Sequence, residues 1–186
     1  YKLITISVYY IICKGDDVMK KFNWKQIGKG SLPIILAIVF AFSLIYFVRP
    51  LQVAGESMEP TFRDGQWLAA SRALKGTAKK GDIITAKVNP TKETPADKLI
   101  NGKLSIIKRI IGAPGDTVDI KNNAVYVNGK KIDEPYLNEP MKTPNYSCKL
   151  KADEWFIMGD NRNHSLDSRK IGPIRTEEIS FIILNG

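Results

Sequence analysis

The feature of this 186-residue chain that most constrains its fold is a long run of uncharged, apolar residues near the N-terminus. Residues 31–48 read SLPIILAIVFAFSLIYFV, about the length needed to cross the hydrocarbon core of a bilayer. Pro33 is compatible with a helix there, because the first helical turn contains amides without intrahelical partners. A cleaved secretory signal is the alternative, but the run is long for one. The run therefore predicts one uncleaved transmembrane helix.

The charges that flank this run indicate its orientation. Four lysines precede it: Lys20, Lys21, Lys25 and Lys29. Only Arg49 follows it closely. Because positively charged segments stay on the cytoplasmic side, this bias predicts a single-pass protein of the cell membrane with a cytoplasmic N-terminus. Residues 49–186 then form an extracytoplasmic domain.

The first 18 residues do not fit this plan. The chain begins at Tyr1, and its first methionine is Met19, which two lysines follow. The apolar run within residues 1–18 is too short to span a bilayer comfortably. We interpret residues 1–18 as a translated leader or non-native extension and residues 19–30 as a cytoplasmic basic segment. A genuine extended N-terminus is the alternative, and the intact mass of the native protein distinguishes the two.

Composition limits the partners and cofactors. The formal net charge of +9 favours an anionic partner, either nucleic acid or an anionic membrane surface. The sequence has no Cys/His metal finger and no Lys/Arg-rich helix that could enter a groove, so we expect no nucleic acid and favour the lipid membrane. Because Cys13 and Cys148 lie far apart and there is one histidine, we expect neither a disulfide framework nor a histidine-based metal site.

Beyond the apolar run the pattern is one of short strands and tight turns. Runs rich in β-formers occupy residues 67–70, 82–88, 104–111, 118–120 and 125–127. Residues 112–116 have turn composition, and Asn128-Gly129 suits a type I′ hairpin. Residues 89–98 and 133–151 are predicted as surface loops. No sustained helical periodicity follows Val48, which predicts a mostly β domain of antiparallel sheets.

One serine lies unexpectedly close to the apolar run. Ser57 is part of the sequence VAGESMEPTF, residues 53–62, a turn that contains Gly55 and is closed by Pro60. Taken by itself, this is an ordinary turn. The rest of the chain gives it a different interpretation.

A lysine is the second unusual residue. Lys108 shares one face of the strand 104–111 with three aliphatic residues, because strand side chains alternate between faces. These are Leu104, Ile106 and Ile110. An ammonium group there loses hydration, and a pKa near ~8 corresponds to a cost of about 3 kcal/mol. The alternative is a lysine whose stem lies on the apolar face while its amine reaches water.

Together the two residues indicate nucleophilic catalysis. A serine hydroxyl is a poor nucleophile until a base removes its proton, and a neutral lysine amine can act as that base. His164 is the rival base, but it lies in a polar loop with little to bury it. The pairing therefore favours Ser57 as nucleophile and Lys108 as base.

Four blocks of sequence carry a resemblance to a known family. They are GESMEPT at 55–61, GDII at 81–84, IKRIIGAPGD at 107–116 and MGDNRNHSLDSR at 158–169. In this order after an N-terminal anchor, they resemble bacterial type I signal peptidases of the Gram-positive, serine–lysine kind, which belong to peptidase family S26. The resemblance implies the signal-peptidase β-fold of antiparallel sheets, preceded by one N-terminal transmembrane helix.

The resemblance also implies roles for matching residues. Ser57 matches the nucleophile and Lys108 the general base. Ser165 matches a serine that hydrogen-bonds and orients that lysine. Asp167 matches a structural carboxylate near the site, and Arg169 its paired arginine.

The resemblance leaves the oxyanion hole incomplete. The backbone N–H of Ser57 is one expected donor. In some members a hydroxyl residue two positions earlier supplies the second donor. Gly55 stands at that position here, so a backbone amide or a bound water takes its place. Asp160 and Arg162 match charged positions that we interpret as scaffold.

The implied reaction is the removal of N-terminal signal peptides from exported preproteins after a small-x-small motif. The substrate is expected to bind in an extended form along sheet edges, with Val53, Ile106 and Ile107 lining shallow pockets. No metal or organic cofactor is implied, and we expect a monomer.

Two other classes of protein share parts of the pattern. Self-cleaving repressors of the SOS response use a similar dyad on a related β fold, but they have a DNA-binding domain and no anchor. A catalytically dead, membrane-tethered relative that binds exported chains is the non-enzyme alternative, although it is expected to have lost Ser57 or Lys108. Preprotein cleavage compared between the wild type and Ser57→Ala separates all three.

Overall fold

The computed structural model describes residues 31–92 and 99–185. The predicted leader, residues 1–18, and the predicted basic segment, residues 19–30, lie outside this range. The described residues fall into two units that divide between Tyr46 and Phe47. The first contains most of one helix, and the second contains the sheets.

The apolar run forms helix α1, Leu32–Phe47, which has 16 residues and no charged side chain. The helix coincides with the predicted anchor segment, residues 31–48, except at the two ends: Val48 already belongs to the first strand and pairs with Ser71. Pro50 provides the reason: the ring of a proline disfavours helical geometry in the residue before it, here Arg49. None of the helices in the described part of the chain is both long enough and apolar enough to cross a membrane.

The rest of the described chain is mostly β. The strands are β1 (Val48–Gln52), β2 (Trp67–Ser71), β3 (Ile83–Val88), β4 (Leu99–Ile100), β5 (Lys103–Gly112), β6 (Thr117–Lys121), β7 (Ala124–Val127), β8 (Lys130–Lys131), β9 (Tyr146–Lys149), β10 (Glu154–Met158), β11 (Ile174–Arg175) and β12 (Ile179–Ile183). A short helix, α2, spans Ser168–Ile171. Single 3-10 turns occupy Ala73–Thr77, Arg162–His164 and Thr176–Glu178.

These strands form two antiparallel sheets, which confirms the prediction of a mostly β domain of antiparallel sheets. The larger has eight strands in the order β1-β2-β12-β3-β5-β10-β11, with β4 paired to β5. The smaller has the order β8-β7-β6-β9. Strand β5 lies between β3 and β10. Lys103 and Ser105 at its start are exposed, whereas Leu104 and the last three residues of the strand are buried.

Asparagine-rich hairpins connect the strands of the smaller sheet. Asn122 and Asn123 have φ values of 51° and 58°, and Asn128 and Gly129 have 53° and 79°. Two successive residues of positive φ characterise the type I′ turn, which matches the right-handed twist of paired strands. The hairpin predicted at Asn128-Gly129 has this geometry.

The loop predicted for residues 133–151 is wrong in one part. Tyr146–Lys149 forms β9, the edge strand that pairs with β6. Tyr146 and Cys148 are more buried than Ser147 and Lys149, which is the period-2 pattern of a strand. Over only four residues, this pattern is too short to recognise in the sequence. Pairing with β6 supplies the stabilisation that this short segment lacks by itself.

Three clusters of buried apolar side chains make up the core, and β5 contributes to each. Ile110 belongs to a cluster with β3, β10 and β12. Ile111 belongs to a cluster with the smaller sheet. Ile107 packs against a third cluster that includes Met58 and Phe62. The polar side chains of β5 are therefore held in fixed positions relative to all three apolar clusters.

Gly112 lets the two sheets approach at the end of β5. A β-carbon there would lie 2.5 Å from Val118 Cγ2, 2.9 Å from Leu150 Cδ1 and 3.3 Å from Phe156 Cβ. The register between β5 and β10 shifts at this point, where Phe156 pairs with Gly112. Any side chain at this position would force the smaller sheet away from the larger.

Gly112→Ala is expected to lower the free energy of unfolding by about 1–3 kcal/mol, because it overpacks a filled core. Gly76→Ala is the matched control, since a β-carbon at Gly76 meets nothing within 4 Å. Urea unfolding followed by tryptophan fluorescence measures both. Equal stability of the two variants would contradict the close approach of the sheets.

Candidate active site

Ser57 lies in a tight turn that leads from β1 to β2 and is fastened at both ends. Met58 and Phe62 are buried in the core, and the N–H of Phe62 donates to the carbonyl of Met58 at 2.9 Å. The N–H of Gly55 donates to Asp64 Oδ1 at 2.6 Å. Because its neighbours are anchored in this way, Ser57 is held partly exposed at a defined position.

Lys108 approaches this serine from the middle of β5. Its side chain is only 3% exposed, and the three aliphatic residues predicted to share its face are themselves buried. Its Nζ lies 2.7 Å from Ser57 Oγ and 2.8 Å from the carbonyl oxygen of Ile107. The amine and the hydroxyl are therefore in direct hydrogen-bond contact.

The surroundings of Lys108 lower the pKa of its amine from 10.5 to about 8. The largest cause is the loss of hydration on burial, and the positive charge of Arg169 acts in the same direction. The carboxylates of Asp167 and Asp160 act against this and keep the pKa from falling further. A useful fraction of the amine is therefore neutral near neutral pH, with a lone pair available for a proton.

The loop after β10 holds the backbone of the Ser57 turn. The N–H of Asn161 donates to the carbonyl of Ser57 at 3.1 Å, and Asn161 Nδ2 donates to the carbonyl of Glu56 at 3.2 Å. Gly159 has no room for a side chain, because a β-carbon would collide with the Ser57 carbonyl and with the hydroxyl of Ser165. The close packing at Gly159 thus brings this loop and the serine together.

Asp160 joins the serine turn to the lysine strand. Its carboxylate is 2% exposed and accepts two hydrogen bonds from Arg109, at 2.9 Å to Oδ1 and 2.7 Å to Oδ2. The hydroxyl of Thr61 donates to the same Oδ2. Arg109 is the residue after Lys108, and Thr61 lies four residues after Ser57. The Asp160 carboxylate therefore connects the lysine strand to the serine turn.

Asp167 and Arg169 form a second buried pair. Asp167 accepts from Arg169 Nε and Nη2, both at 2.8 Å, and from the N–H of Gly159 at 3.0 Å. Burial tends to raise the pKa of the Asp167 carboxyl, but these hydrogen bonds and the charge of Arg169 outweigh it and hold the pKa below its usual range. Arg169 also donates to the carbonyl of Arg162 at 2.7 Å.

Arg162 forms a third buried arginine–carboxylate pair near the site. It donates to both oxygens of Glu134 and, through Nε, to the carbonyl of Gly159 at 3.0 Å. Breaking such a buried pair leaves an uncompensated charge, which typically costs about 3–5 kcal/mol. The predicted scaffold position Arg162 thus has a carboxylate partner that lies outside the four sequence blocks.

Ser165 and His164 lie close in sequence but in different environments. Ser165 is buried beside Gly159, and its hydroxyl helps to lower the pKa of the Asp167 carboxyl, although it makes no well-formed hydrogen bond in the part of the chain that the structure describes. The hydrogen bond predicted between Ser165 and Lys108 is therefore absent from this geometry. His164 is exposed, whereas Lys108 contacts Ser57 directly.

The three residues predicted to line substrate pockets do not share one surface. Val53 is buried in the cluster against which Ile107 packs. Ile106 belongs to a different cluster, on the opposite face of β5. Gly55 lies at the exposed edge of the serine turn, with its N–H already donated to Asp64.

Sequence reasoning missed several of these contacts. Thr61, Arg109 and Asn161 lie inside the recognised blocks, but nothing in the blocks says that they meet. Tyr136 and Glu134 lie in a predicted loop and show no local pattern. No group of three or more His, Cys, Asp or Glu side chains within residues 31–92 and 99–185 is arranged to hold a metal ion.

Comparison with known proteins identifies relatives over most of the chain. The profile of the family "Signal peptidase, peptidase S26" matches residues 24–181. The chain is 35% identical over 167 residues to signal peptidase I U of Bacillus subtilis (strain 168), a match that covers 84% of this chain and 83% of the relative. It is 38% identical over 152 residues to signal peptidase I of Bacillus licheniformis, covering 73% and 74% of the two chains.

Among solved structures, signal peptidase I of Enterococcus faecalis V583 aligns with 57% of this chain and 97% of its own chain, at 25% identity and a TM-score of 0.46. The family profile spans well over half of the sequence, and the curated relatives match most of their own length. The chain therefore belongs to the signal peptidase family, peptidase S26.

Proposed function

We propose that this protein is a membrane-anchored serine endopeptidase that removes N-terminal signal peptides from exported preproteins, with Ser57 as nucleophile and Lys108 as general base. The single observation that supports these roles is the 2.7 Å contact between Lys108 Nζ and Ser57 Oγ, made by an amine that is 3% exposed. Membership of the signal peptidase family supports the substrate class.

The first half of the reaction forms an acyl-enzyme. The neutral amine of Lys108 accepts the proton of the Ser57 hydroxyl while Oγ bonds to the scissile carbonyl carbon. The tetrahedral intermediate collapses, the C–N bond breaks, and the Lys108 ammonium returns the proton to the leaving amine. The mature protein departs with its new N-terminus, and the signal peptide stays on Ser57 as an ester.

The second half releases the signal peptide. Lys108 accepts a proton from a water molecule, whose oxygen attacks the ester carbonyl. The ester bond breaks, and Ser57 Oγ recovers its proton from Lys108. The Ser57 N–H is one donor to the oxyanion in both halves. The N–H of Gly55 is already bonded to Asp64, so we assign the second donor to a water molecule or another amide.

Neighbouring groups keep the amine aligned. A neutral amine has one lone pair and two N–H donors, and one donor is satisfied by the carbonyl of Ile107 at 2.8 Å. Ser165 supplies the acceptor for the other, after a small reorientation of its buried hydroxyl, which makes no well-formed hydrogen bond in the described structure. Asp167 and Arg169 support the loop that carries Ser165. Val53 and Ile107, which meet in one cluster, are the proposed residues of one pocket for a small side chain of the cleavage motif, and Ile106, on the other face of β5, is assigned to a separate one.

The apolar segment 31–48 is the proposed anchor, with the lysine-rich segment before it on the cytoplasmic side and residues 49–186 outside. Its support is the uncharged run and the excess of lysines that precede it. Signal peptides are themselves inserted in the membrane, so a nucleophile nine positions after Val48 is held near the depth of the scissile bond. Tethering of this kind raises the effective concentration of the substrate.

A series of variants tests the proposed roles by preprotein cleavage. Ser57→Ala and Lys108→Ala are each expected to abolish cleavage, because the two groups act as a unit. Ser165→Ala is expected to lower kcat/KM by roughly ten- to a hundred-fold, the cost of a buried polar group that loses its partner. Thr85→Val is the matched control, since Thr85 carries the other unpartnered buried hydroxyl among the described residues.

Thr85→Val should cleave at the wild-type rate. If Lys108→Ala retained a tenth of the wild-type activity, the lysine would not be the base. If Ser165→Ala and Thr85→Val were indistinguishable, Ser165 would have no role in orienting the amine. A wild-type protein without cleavage would identify a binding protein instead of an enzyme.

The pH dependence follows from the lowered pKa of Lys108. Catalysis needs the neutral amine, so kcat/KM is expected to rise with pH to a plateau, with its midpoint near pH 8. His164→Ala should leave this profile unchanged. A profile whose rising limb disappears in His164→Ala would instead identify histidine as the base.

The same pKa predicts the sign of a stability change. Because the folded pKa of about 8 lies below the ordinary value of 10.5, the unfolded chain binds more protons between these pH values. The free energy of unfolding should therefore increase as pH rises through this window. Lys108→Met should not show this increase. Below pH 8, burial of the charged amine is expected to lower the free energy of unfolding by about 3 kcal/mol. Urea unfolding of the wild type and of Lys108→Met across this pH range measures the effect.

Deletion of residues 19–47, which leaves β1 intact from Val48 onward, tests the anchor. Processing of a membrane-inserted preprotein should fall far more than cleavage of a short soluble peptide, because the proposed catalytic groups lie beyond the deletion and only co-localisation is lost. Parallel assays on the two substrates measure the difference. Equal losses on both would show that the segment supports the fold.

A further inference from the structure

Tyr136 lies in the segment between β8 and β9 and contacts two arginines of the site. The guanidinium carbon of Arg109 is 4.1 Å from the centre of the Tyr136 ring, and that of Arg162 is 5.8 Å away. An aromatic face attracts a guanidinium group, and the attraction grows when water is excluded. Tyr136 is half-buried, so its ring covers both cations from solvent.

Arg109 transmits this contact to the serine and the lysine. It is the neighbour of Lys108 on β5, and its guanidinium is held in plane by two bonds to Asp160 and one to the carbonyl of Gly81 at 2.9 Å. Asp160 in turn accepts the hydroxyl of Thr61 in the serine turn. The orientation of one guanidinium plane therefore sets how the turn sits on β5.

Arg162 transmits the second contact to Gly159. The hydroxyl of Tyr136 donates to Glu134 Oε1 at 2.9 Å, and Glu134 pairs with Arg162. Arg162 donates to the carbonyl of Gly159, the residue whose close packing admits Ser57 and Ser165. Tyr136 thus contacts both arginines, Arg109 and Arg162, that hold the segments around the proposed catalytic pair.

We propose that Tyr136 is a positioning residue, which holds Arg109 and Arg162 in the orientation that places Ser57 Oγ against Lys108 Nζ. The inference rests on the proposed function of that pair. It assigns a part in the reaction to the segment that joins β8 and β9, which the four sequence blocks do not include. Tyr136 acts through the two arginines and stabilises their planes by its ring face, while its hydroxyl orients Glu134.

The test variant is Tyr136→Leu, measured in the full-length protein in detergent on a preprotein substrate. We expect kcat to fall about tenfold, equivalent to about 1.4 kcal/mol, with little change in KM, because the pair is misaligned and the substrate surface is retained. We also expect the pH midpoint to move upward. Asp167, Asp160 and Arg169 are the charged groups that act on Lys108, and a looser Arg109 neutralises Asp160 less.

Two control variants separate positioning from general stability. Tyr136→Phe keeps the ring face and loses only the hydroxyl bond, so its kcat should stay within about threefold of the wild type, as expected for one hydrogen bond. Tyr126→Leu removes a comparable half-buried stack, in which Lys121 Nζ lies 4.6 Å from the Tyr126 ring in the smaller sheet. It should lower the melting temperature without lowering kcat per folded molecule.

Each outcome bears on the inference. Wild-type kcat and pH midpoint in Tyr136→Leu would overturn it, as would equal losses in Tyr136→Leu and Tyr126→Leu. If Tyr136→Leu does not fold, Tyr136→Met provides similar volume without a ring face, and the same thresholds apply to its folded fraction. Failure of the proposed function is distinguishable, because the wild type would then not cleave the preprotein, or Ser57→Ala would.

Discussion

The burial of one amine is the constraint on which the rest of this structure depends. Lys108 lies among aliphatic side chains in the central strand, where its charged form is poorly hydrated and its pKa falls to about 8. A buried cation of this kind contributes nothing to folding, and it costs about 3 kcal/mol below that pH. In the proposed function, the contact with Ser57 gives this burial a chemical role, because the lowered pKa makes the amine a usable base near neutral pH.

The opposing carboxylates explain why the pKa falls no further. Asp160 and Asp167 are both fully buried and both attract the ammonium form of Lys108. Each carboxylate is paired with an arginine whose positive charge offsets its negative charge: Asp160 with Arg109, and Asp167 with Arg169. The paired charges hold the loop and the serine turn by bidentate hydrogen bonds without returning Lys108 to its ordinary pKa.

The smaller sheet also lies close to the proposed site, although most of its residues are outside the four sequence blocks. Gly112 allows it to pack against the end of β5, and the segment after β8 places Tyr136 and Glu134 against the two arginines beside the proposed catalytic pair. The smaller sheet therefore lies next to the segment whose Tyr136 contacts Arg109 and Arg162, the contact on which the proposed positioning role depends.

The sequence by itself determined the local features of this protein: the apolar helix, the β character of the rest, the asparagine hairpins and the aliphatic face that carries Lys108. These follow from backbone periodicity and turn chemistry, which act over a few residues. Only the tertiary structure decided which groups meet. The contacts of Lys108 with Ser57 and of Arg109 with Asp160 each join residues 51 positions apart, and Arg162 meets Glu134 from 28 positions away. Such pairings depend on the strand order and on glycines that admit close approach, and neither has a local signature.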